Sequence, residues 1–205
     1  MQNTQRSKEW YDERIARFTG SQISKLLGKQ GLGKTGESYI FEVVYKALYS
    51  DLEEGYTDKD MQRGIDLEPL AFDKLKEILS KRFVFIEKCG FFKYEDCGGA
   101  SPDGIGSDNS IIEIKCPKAN TFFNVVRTNY IDPTYYDQMQ MEMLSANKSK
   151  AYYFNYFVDL NGREFWHLIE VARDEKRITL IKERLKQAKD LATIYKNELL
   201  TNKQY

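Results

Sequence analysis

The residues best equipped for chemistry fall in two short runs, Ser101-Pro102-Asp103-Gly104 and Ile111-Ile112-Glu113-Ile114-Lys115-Cys116-Pro117. In a β-strand alternate side chains share a face, so Ile112, Ile114 and Cys116 point one way while Glu113 and Lys115 are held side by side on the other. Asp103 lies in a Pro-Asp-Gly turn just before a hairpin, which lets its carboxylate return beside Glu113 at the end of a neighbouring strand. Two carboxylates and a backbone carbonyl, that of Ile114, make an oxygen set suited to Mg²⁺, with coordination positions left for water and a phosphate oxygen. A lysine beside such a cation can orient or deprotonate an attacking water, and the cation offsets charge developing at phosphorus. This chemistry is hydrolysis of a phosphodiester. A Glu-x-Lys pair alone on a strand is more often a solvated ion pair. The Ser-Pro-Asp-Gly run upstream and a further acid on a helix, Glu68, weigh towards a reactive centre.

These groups must be positioned by a sheet with helices around it. Ile23, Leu26 and Leu27 follow Thr19-Gly20-Ser21 at helical spacing, with that triplet as the cap, and 39–48 continue in helical periodicity. Leu67, Leu70, Ala71, Leu75, Ile78 and Leu79 outline an amphipathic helix that carries Glu68, with Pro69 tolerated near its first turn. Runs rich in β-branched and aromatic residues at 83–86, 91–94, 111–116, 152–158 and 165–171, separated by Gly, Asp and Asn clusters, predict five strands. Helices are expected around 122–128 and 133–145. A last one over 174–199 carries Ile178, Ile181, Leu185, Ala188 and Leu199 on one stripe. The expected fold is α/β (or α+β), a central mixed β-sheet of about five strands flanked by helices, with residues 1–205 as one domain.

Composition bounds what else the chain can be. Its 205 residues and 41% hydrophobic content suffice for a packed core. Lys plus Arg and Asp plus Glu each number 31, so attraction to a polyanion must come from local clustering and not from net charge. No run approaches the roughly 20 apolar residues of a membrane span, and the polar first 14 residues lack a signal-peptide core; an intracellular location is expected. Cys89, Cys97 and Cys116 form no Cys-x-x-Cys pair, which indicates reduced structural thiols. The single histidine, His167, cannot support a histidine metal cluster or a nucleophilic triad and reads as a strand residue.

One motif points elsewhere. Gly28-Lys29-Gln30-Gly31-Leu32-Gly33-Lys34-Thr35 fits the G-x-x-x-x-G-K-[ST] phosphate-loop pattern, which implies an ATPase. Such a loop must follow a buried strand, whereas helical spacing precedes this one. A loop carrying Lys29 and Lys34 towards nucleic-acid phosphates, or a solvated linker, fits better.

The order Glu68, then Ala100-Ser-Pro-Asp-Gly104, then Ile112-Glu-Ile-Lys-Cys-Pro117 resembles the PD-(D/E)xK nuclease superfamily, and within it the lambda exonuclease or YqaJ-like viral recombinase branch. Trp10 to Ser21, Tyr136-Asp-Gln-Met-Gln140 and Ala151-Tyr-Tyr-Phe-Asn-Tyr156 extend the likeness over about residues 7 to 175. The resemblance implies that Asp103, Glu113 and the Ile114 carbonyl ligate Mg²⁺ (Mn²⁺ substituting), with Glu68 supporting through water. It implies that Lys115 positions the nucleophile and that Gln138 or Gln140 steadies it. It also implies digestion of linear double-stranded DNA from 5′ ends to mononucleotides in phage-type recombination, in the cytoplasm of a bacterial host. A ring-shaped homotrimer and a single-strand annealing protein as partner belong to the same implication. Arg14 with the Thr19-Gly20-Ser21 helix start would clasp a terminal 5′-phosphate. Where the family has an arginine this chain has Thr121, with Lys118 nearby. Alternatives from other classes are a nicking or restriction-type nuclease and a non-enzymatic DNA-binding subunit. The iron–sulfur branch of the superfamily needs four cysteines, and three are present.

Overall fold

The computed structural model describes residues 5, 7–49 and 59–201. Its centre is strand β6, Ser110–Lys115, whose apolar alternation is buried on both faces. Ile111 and Ile112 lose all solvent contact, each burial favouring the fold by about 1.5–3 kcal/mol. On one side β6 pairs antiparallel with β5 (Gly104–Gly106), which pairs antiparallel with β2 (Ile86–Glu87). On the other it runs parallel to β7 (Lys150–Val158), itself antiparallel to β8 (Glu164–Ala172). The mixed five-stranded order is therefore β2-β5-β6-β7-β8. A second, three-stranded sheet has the order β1 (Phe18–Thr19), β4 (Gly98–Ala100), β3 (Phe92–Tyr94).

Parallel pairing of β6 with β7 demands a crossover, supplied by α4 (Ala119–Thr128) and α5 (Pro133–Ser145). Helix α5 starts where Asp132 caps it and Pro133 fixes the first turn. It packs Met139 and Met143 on Ile111, Ala151 and Tyr153. The opposite face takes α3 (Lys59–Ser80), whose Ala71, Phe72, Leu75 and Leu79 meet Ile112, Ile114, Tyr152 and Phe154. A further cluster joins α2 (Gly33–Tyr49), α6 (Glu175–Thr201) and a 3₁₀ helix at Gly20–Leu26 through Ile23, Leu26, Ile40, Ile178, Ile181 and Leu185. The remaining helix, α1, spans Lys8–Arg14 and is capped by Ser7.

Several expectations need correction. Of the 83–86 run only Ile86 is in a strand; Phe83 turns the chain with φ 59° and is 86% exposed. The 91–94 strand exists from Phe92, but it joins the small sheet, and the glycine-rich β5 takes its expected place. Pro69 is not in a first turn, because α3 begins at Lys59; it lies mid-helix and deprives the Ile65 carbonyl of its donor. The segment after Thr19 is 3₁₀, and Thr19 makes no side-chain capping bond. The phosphate-loop motif follows that 3₁₀ helix and not a strand, so the context for nucleotide binding is missing. Lys29 and Lys34 are exposed there.

Candidate active site

The two sequence runs meet at the end of β6. Asp103 N donates to the Ile112 carbonyl at 2.9 Å, extending the β5–β6 ladder by one residue, and Asp103 Oδ2 accepts from Ile114 N at 2.7 Å. The N–H and C=O of one strand residue point to the same side, so the Ile114 carbonyl opens towards Asp103, past the end of β5. On the face covered by α5, Lys115 Nζ reaches Glu113 Oε1 at 2.5 Å. Glu113 is only 2% exposed. Such a buried carboxylate needs partners, and Gln138 of α5 supplies a second one, Nε2 to Oε1 at 2.8 Å.

Beyond these residues lies an open cleft of about 790 Å³. Glu68, Ile114, Lys115, Cys116, Arg14 and Tyr135 are on its wall. The Asp103 and Glu113 carboxyls sit directly behind, bonded to Ile114 and Lys115. Burial, then the nearby Glu113 and, more weakly, Glu68, push the Asp103 carboxyl well above the usual carboxylate range. Burial opposes the charge on Lys115, but Glu113 and Asp103 together outweigh it and hold its ammonium above the ordinary lysine value. Lys115 is therefore a hydrogen-bond donor at neutral pH; a role as base requires cationic charge to relieve the two carboxylates first.

These residues fit a hard divalent cation. Acidic oxygens crowd against burial with, among the described residues, one ammonium bonded to them, which is the environment a cation stabilises, and the Ile114 carbonyl completes a set typical of Mg²⁺. Asp103, Glu113 and the Ile114 carbonyl could hold it, with Glu68 across the cleft. Among the described residues the one tight acidic and thiol group is elsewhere, Glu95, Asp96 and Cys97. Its Asp96 is already paired with Lys189 at 2.7 Å.

Helix α5 separates the two glutamines. Residues two apart on an α-helix differ by about 200° in direction, so both cannot serve one site. Gln138 faces Glu113, whereas Gln140 faces away: its Nε2 donates to the Ala172 carbonyl at 3.0 Å and its Oε1 accepts from Asp174 N at 2.8 Å. Gln140 is thus a structural brace between β8 and α6, a correction to its expected place near Lys115. Gln140→Ala should lower stability by about 1–3 kcal/mol, the cost of the stranded Asp174 N–H and Ala172 carbonyl. Thermal melts should register the loss while turnover per folded molecule is unchanged.

The same helix brings in an acid the sequence reading missed. Glu142, one turn after Gln138, accepts from the same Nε2 at 2.8 Å. It is buried, and burial followed by Glu113 raises its pKa well above the ordinary value. The i, i+4 spacing to Gln138 was the available signal.

The expected phosphate-binding residues divide. Arg14 lines the cleft, its guanidinium 4.1 Å from the Trp10 ring centre, and among the described residues it has no acidic partner. Trp10 Nε1 donates to Ser101 Oγ at 2.8 Å, which ties α1 to the turn holding Asp103. Thr19 is buried and Ser21 exposed, and neither is on the cleft wall. An added Cβ at Gly20 would lie 2.9 Å from that of Ala100, so only glycine permits this approach between the 3₁₀ helix and β4. Lys118 pairs with Asp60 at 2.6 Å beside the cleft, which Thr121 also lines. Lys34 opens α2 and is not on the cleft wall. His167 Nε2 bonds Asn129 Oδ1 at 2.7 Å, tying β8 to the end of α4. The three cysteines are free thiols.

Comparison with solved structures finds the same fold in an alkaline exonuclease (LHK-Exo) from Laribacter hongkongensis, with a TM-score of 0.80, 23% identity and 95% and 97% of the two chains covered. LHK-Exo in complex with dAMP gives a TM-score of 0.77 at 24% identity over 94% and 96%. A phage related exonuclease from Haemophilus somnus 129PT gives 0.64 at 19% over 93% and 97%. No curated protein sequence matches the chain. The model of the YqaJ-like viral recombinase domain matches residues 9–149, more than half of the chain, and the protein belongs to that family.

Proposed function

We propose that the chain is a divalent-metal-dependent exonuclease acting on the ends of linear double-stranded DNA in phage-type recombination. The observation that carries this reading is the placement of the Asp103 and Glu113 carboxyls against Ile114 and Lys115, which line one cleft with Glu68. Bound there, Mg²⁺ would neutralise the carboxylates and polarise the scissile phosphate. Lys115 then orients the attacking water, Gln138 fixes Glu113, and Glu68 lies across the cleft. Family membership and the likeness to solved exonucleases, one of them in complex with dAMP, support an exonuclease that releases mononucleotides. The finer reading is 5′ to 3′ polarity in a single nuclease domain, with a homotrimeric ring around the duplex, an annealing protein as partner and the bacterial cytoplasm as location. No helix among the described residues is long and apolar enough to cross a membrane.

Arg14 is the residue we assign to a 5′-phosphate. Its guanidinium is largely desolvated, has no acidic partner among the described residues, and burial lowers its pKa, so a phosphate entering the cleft would supply the negative charge that these residues do not. Lys118 could join only by leaving Asp60.

The test uses linear duplexes labelled separately at each terminus, with 5′-phosphate or 5′-hydroxyl ends, with and without Mg²⁺. Loss of the 5′ label first, in Mg²⁺ alone, and untouched closed circles are expected. Arg14→Ala should slow digestion of phosphorylated ends by about tenfold and abolish their advantage over hydroxyl ends. Cleavage of closed circles at the linear rate would favour a nicking or restriction-type nuclease, and inert ends in Mg²⁺ would sink the reading altogether.

A further inference from the structure

Strand β7 runs parallel to β6 in a register that places Asn155 opposite Lys115 and Tyr153 opposite Glu113. Partners in such a ladder present side chains on one face, so Glu113, Lys115, Tyr153 and Asn155 form a single patch beneath α5. Asn155 is part of the cleft wall together with Lys115, Tyr135 and Tyr153. It is 1% exposed, and among the described residues its Nδ2 meets no hydrogen-bond acceptor. The Tyr153 hydroxyl is close enough to feel the amide but does not meet hydrogen-bond geometry.

A buried amide donor left unpaired is unfavourable, and such groups in native proteins usually find an acceptor from outside the chain. Here the cleft that Asn155 lines with Lys115 is an open route by which such an acceptor can arrive. Neighbouring strands lie about 4.8 Å apart, so whatever Lys115 holds is within reach of Asn155. Tyr135 is the member of the wall able to yield: it is partly exposed, and its ring rests against Tyr153 at 6.2 Å and against the Lys115 ammonium at 4.6 Å.

We propose that the Asn155 side-chain amide is a substrate contact, donating from Nδ2 to a non-bridging phosphate oxygen of the DNA strand drawn in beside Lys115. The inference rests on the nuclease reading above. A neutral donor suits this position, because it binds the phosphate without adding a second cation that would compete with Lys115 for Glu113. A base edge is the poorer candidate, since the group opposite Lys115 must lie against the reacting phosphate and not beside a stacked base.

The experiment combines two variants with substrates in which one non-bridging phosphate oxygen is replaced by methyl, as a stereodefined methylphosphonate at each of the terminal linkages in turn. Asn155→Ala should lower kcat/KM on unmodified linear duplex by about tenfold or more, the size of one hydrogen bond to a charged group. Its melting temperature should stay level or rise, because an unpaired buried donor has been removed. At one linkage and one stereoisomer the methyl penalty seen with the wild-type chain should vanish in the variant. Asn155→Asp keeps the volume but replaces the donor by an acceptor, and should be at least as slow; it decides the matter if the alanine variant does not fold. Wild-type rates in Asn155→Asp, or methyl penalties undiminished at every linkage, overturn the contact while leaving the nuclease reading intact. A wild-type chain that degrades no DNA removes the nuclease reading itself, and this contact with it.

Discussion

Lys115→Ala should reduce DNA hydrolysis by about 10²–10⁴-fold, the range expected when a positioned proton-handling group is lost, while the chain still folds. Among the described residues the side chain is the one cation bonded to Glu113, and Asp103 also bears on it. Its removal therefore has a second effect, on stability. Breaking a buried pair by deleting one partner costs about 3–5 kcal/mol, but Lys115 keeps about a quarter of its surface, so about 2 kcal/mol is the better expectation in metal-free buffer. Mg²⁺ should restore most of that stability, since it supplies positive charge to the same carboxylates, yet it should not restore turnover. Paired thermal melts and end-labelled digestion, each with and without Mg²⁺, separate the two roles. Turnover near wild type in the folded variant would remove Lys115 from the reaction.

The parts of this site that the sequence makes legible are those written in strand alternation. Glu113 and Lys115 share a face because they are two apart, and Asp103 returns beside them because a turn and a short ladder leave it nowhere else to go. What stays hidden is set by helix phase and by contacts distant in sequence. Gln138 and Gln140 look equivalent in the chain, and only the docking of α5 between the sheet and α6 sends one to Glu113 and the other to Asp174. Glu142 reads as an ordinary polar residue among methionines until both sides of α5 are seen to be covered. Strands β4 and β5 are invisible for a related reason. They are built on glycines whose necessity is spatial: a Cβ at Gly104 would stand 2.7 Å from the Glu87 carbonyl oxygen. Strand propensity cannot register a residue chosen for what it lacks.

Asp103→Asn should give a chain that is more stable than wild type in metal-free buffer at neutral pH and at least about a hundredfold less active. Burial, and then the nearby Glu113 and Glu68, raise the Asp103 pKa. A carboxyl whose folded pKa exceeds its unfolded value binds its proton more tightly when folded. Stability is then greatest in acid and falls as pH climbs from the usual carboxylate range through the folded pKa. Asparagine cannot ionise, so part of that decline should disappear; the part due to Glu142, raised by the same burial, should remain. The substitution also keeps an oxygen for the Ile114 N–H and points a donor towards Glu113 instead of a second negative charge. The effect of Mg²⁺ should invert the ranking. A cation bound to the folded wild type at a hundred times its dissociation constant adds about 2.7 kcal/mol, and a variant that has lost a ligand gains far less. Melting curves across pH, with and without Mg²⁺, test the claim directly: an equal Mg²⁺ gain in Asp103→Asn would mean that the cation is held elsewhere. The instability assigned to Asp103 in the metal-free chain and its value as a metal ligand have one physical origin, negative charge confined where only a cation can relieve it.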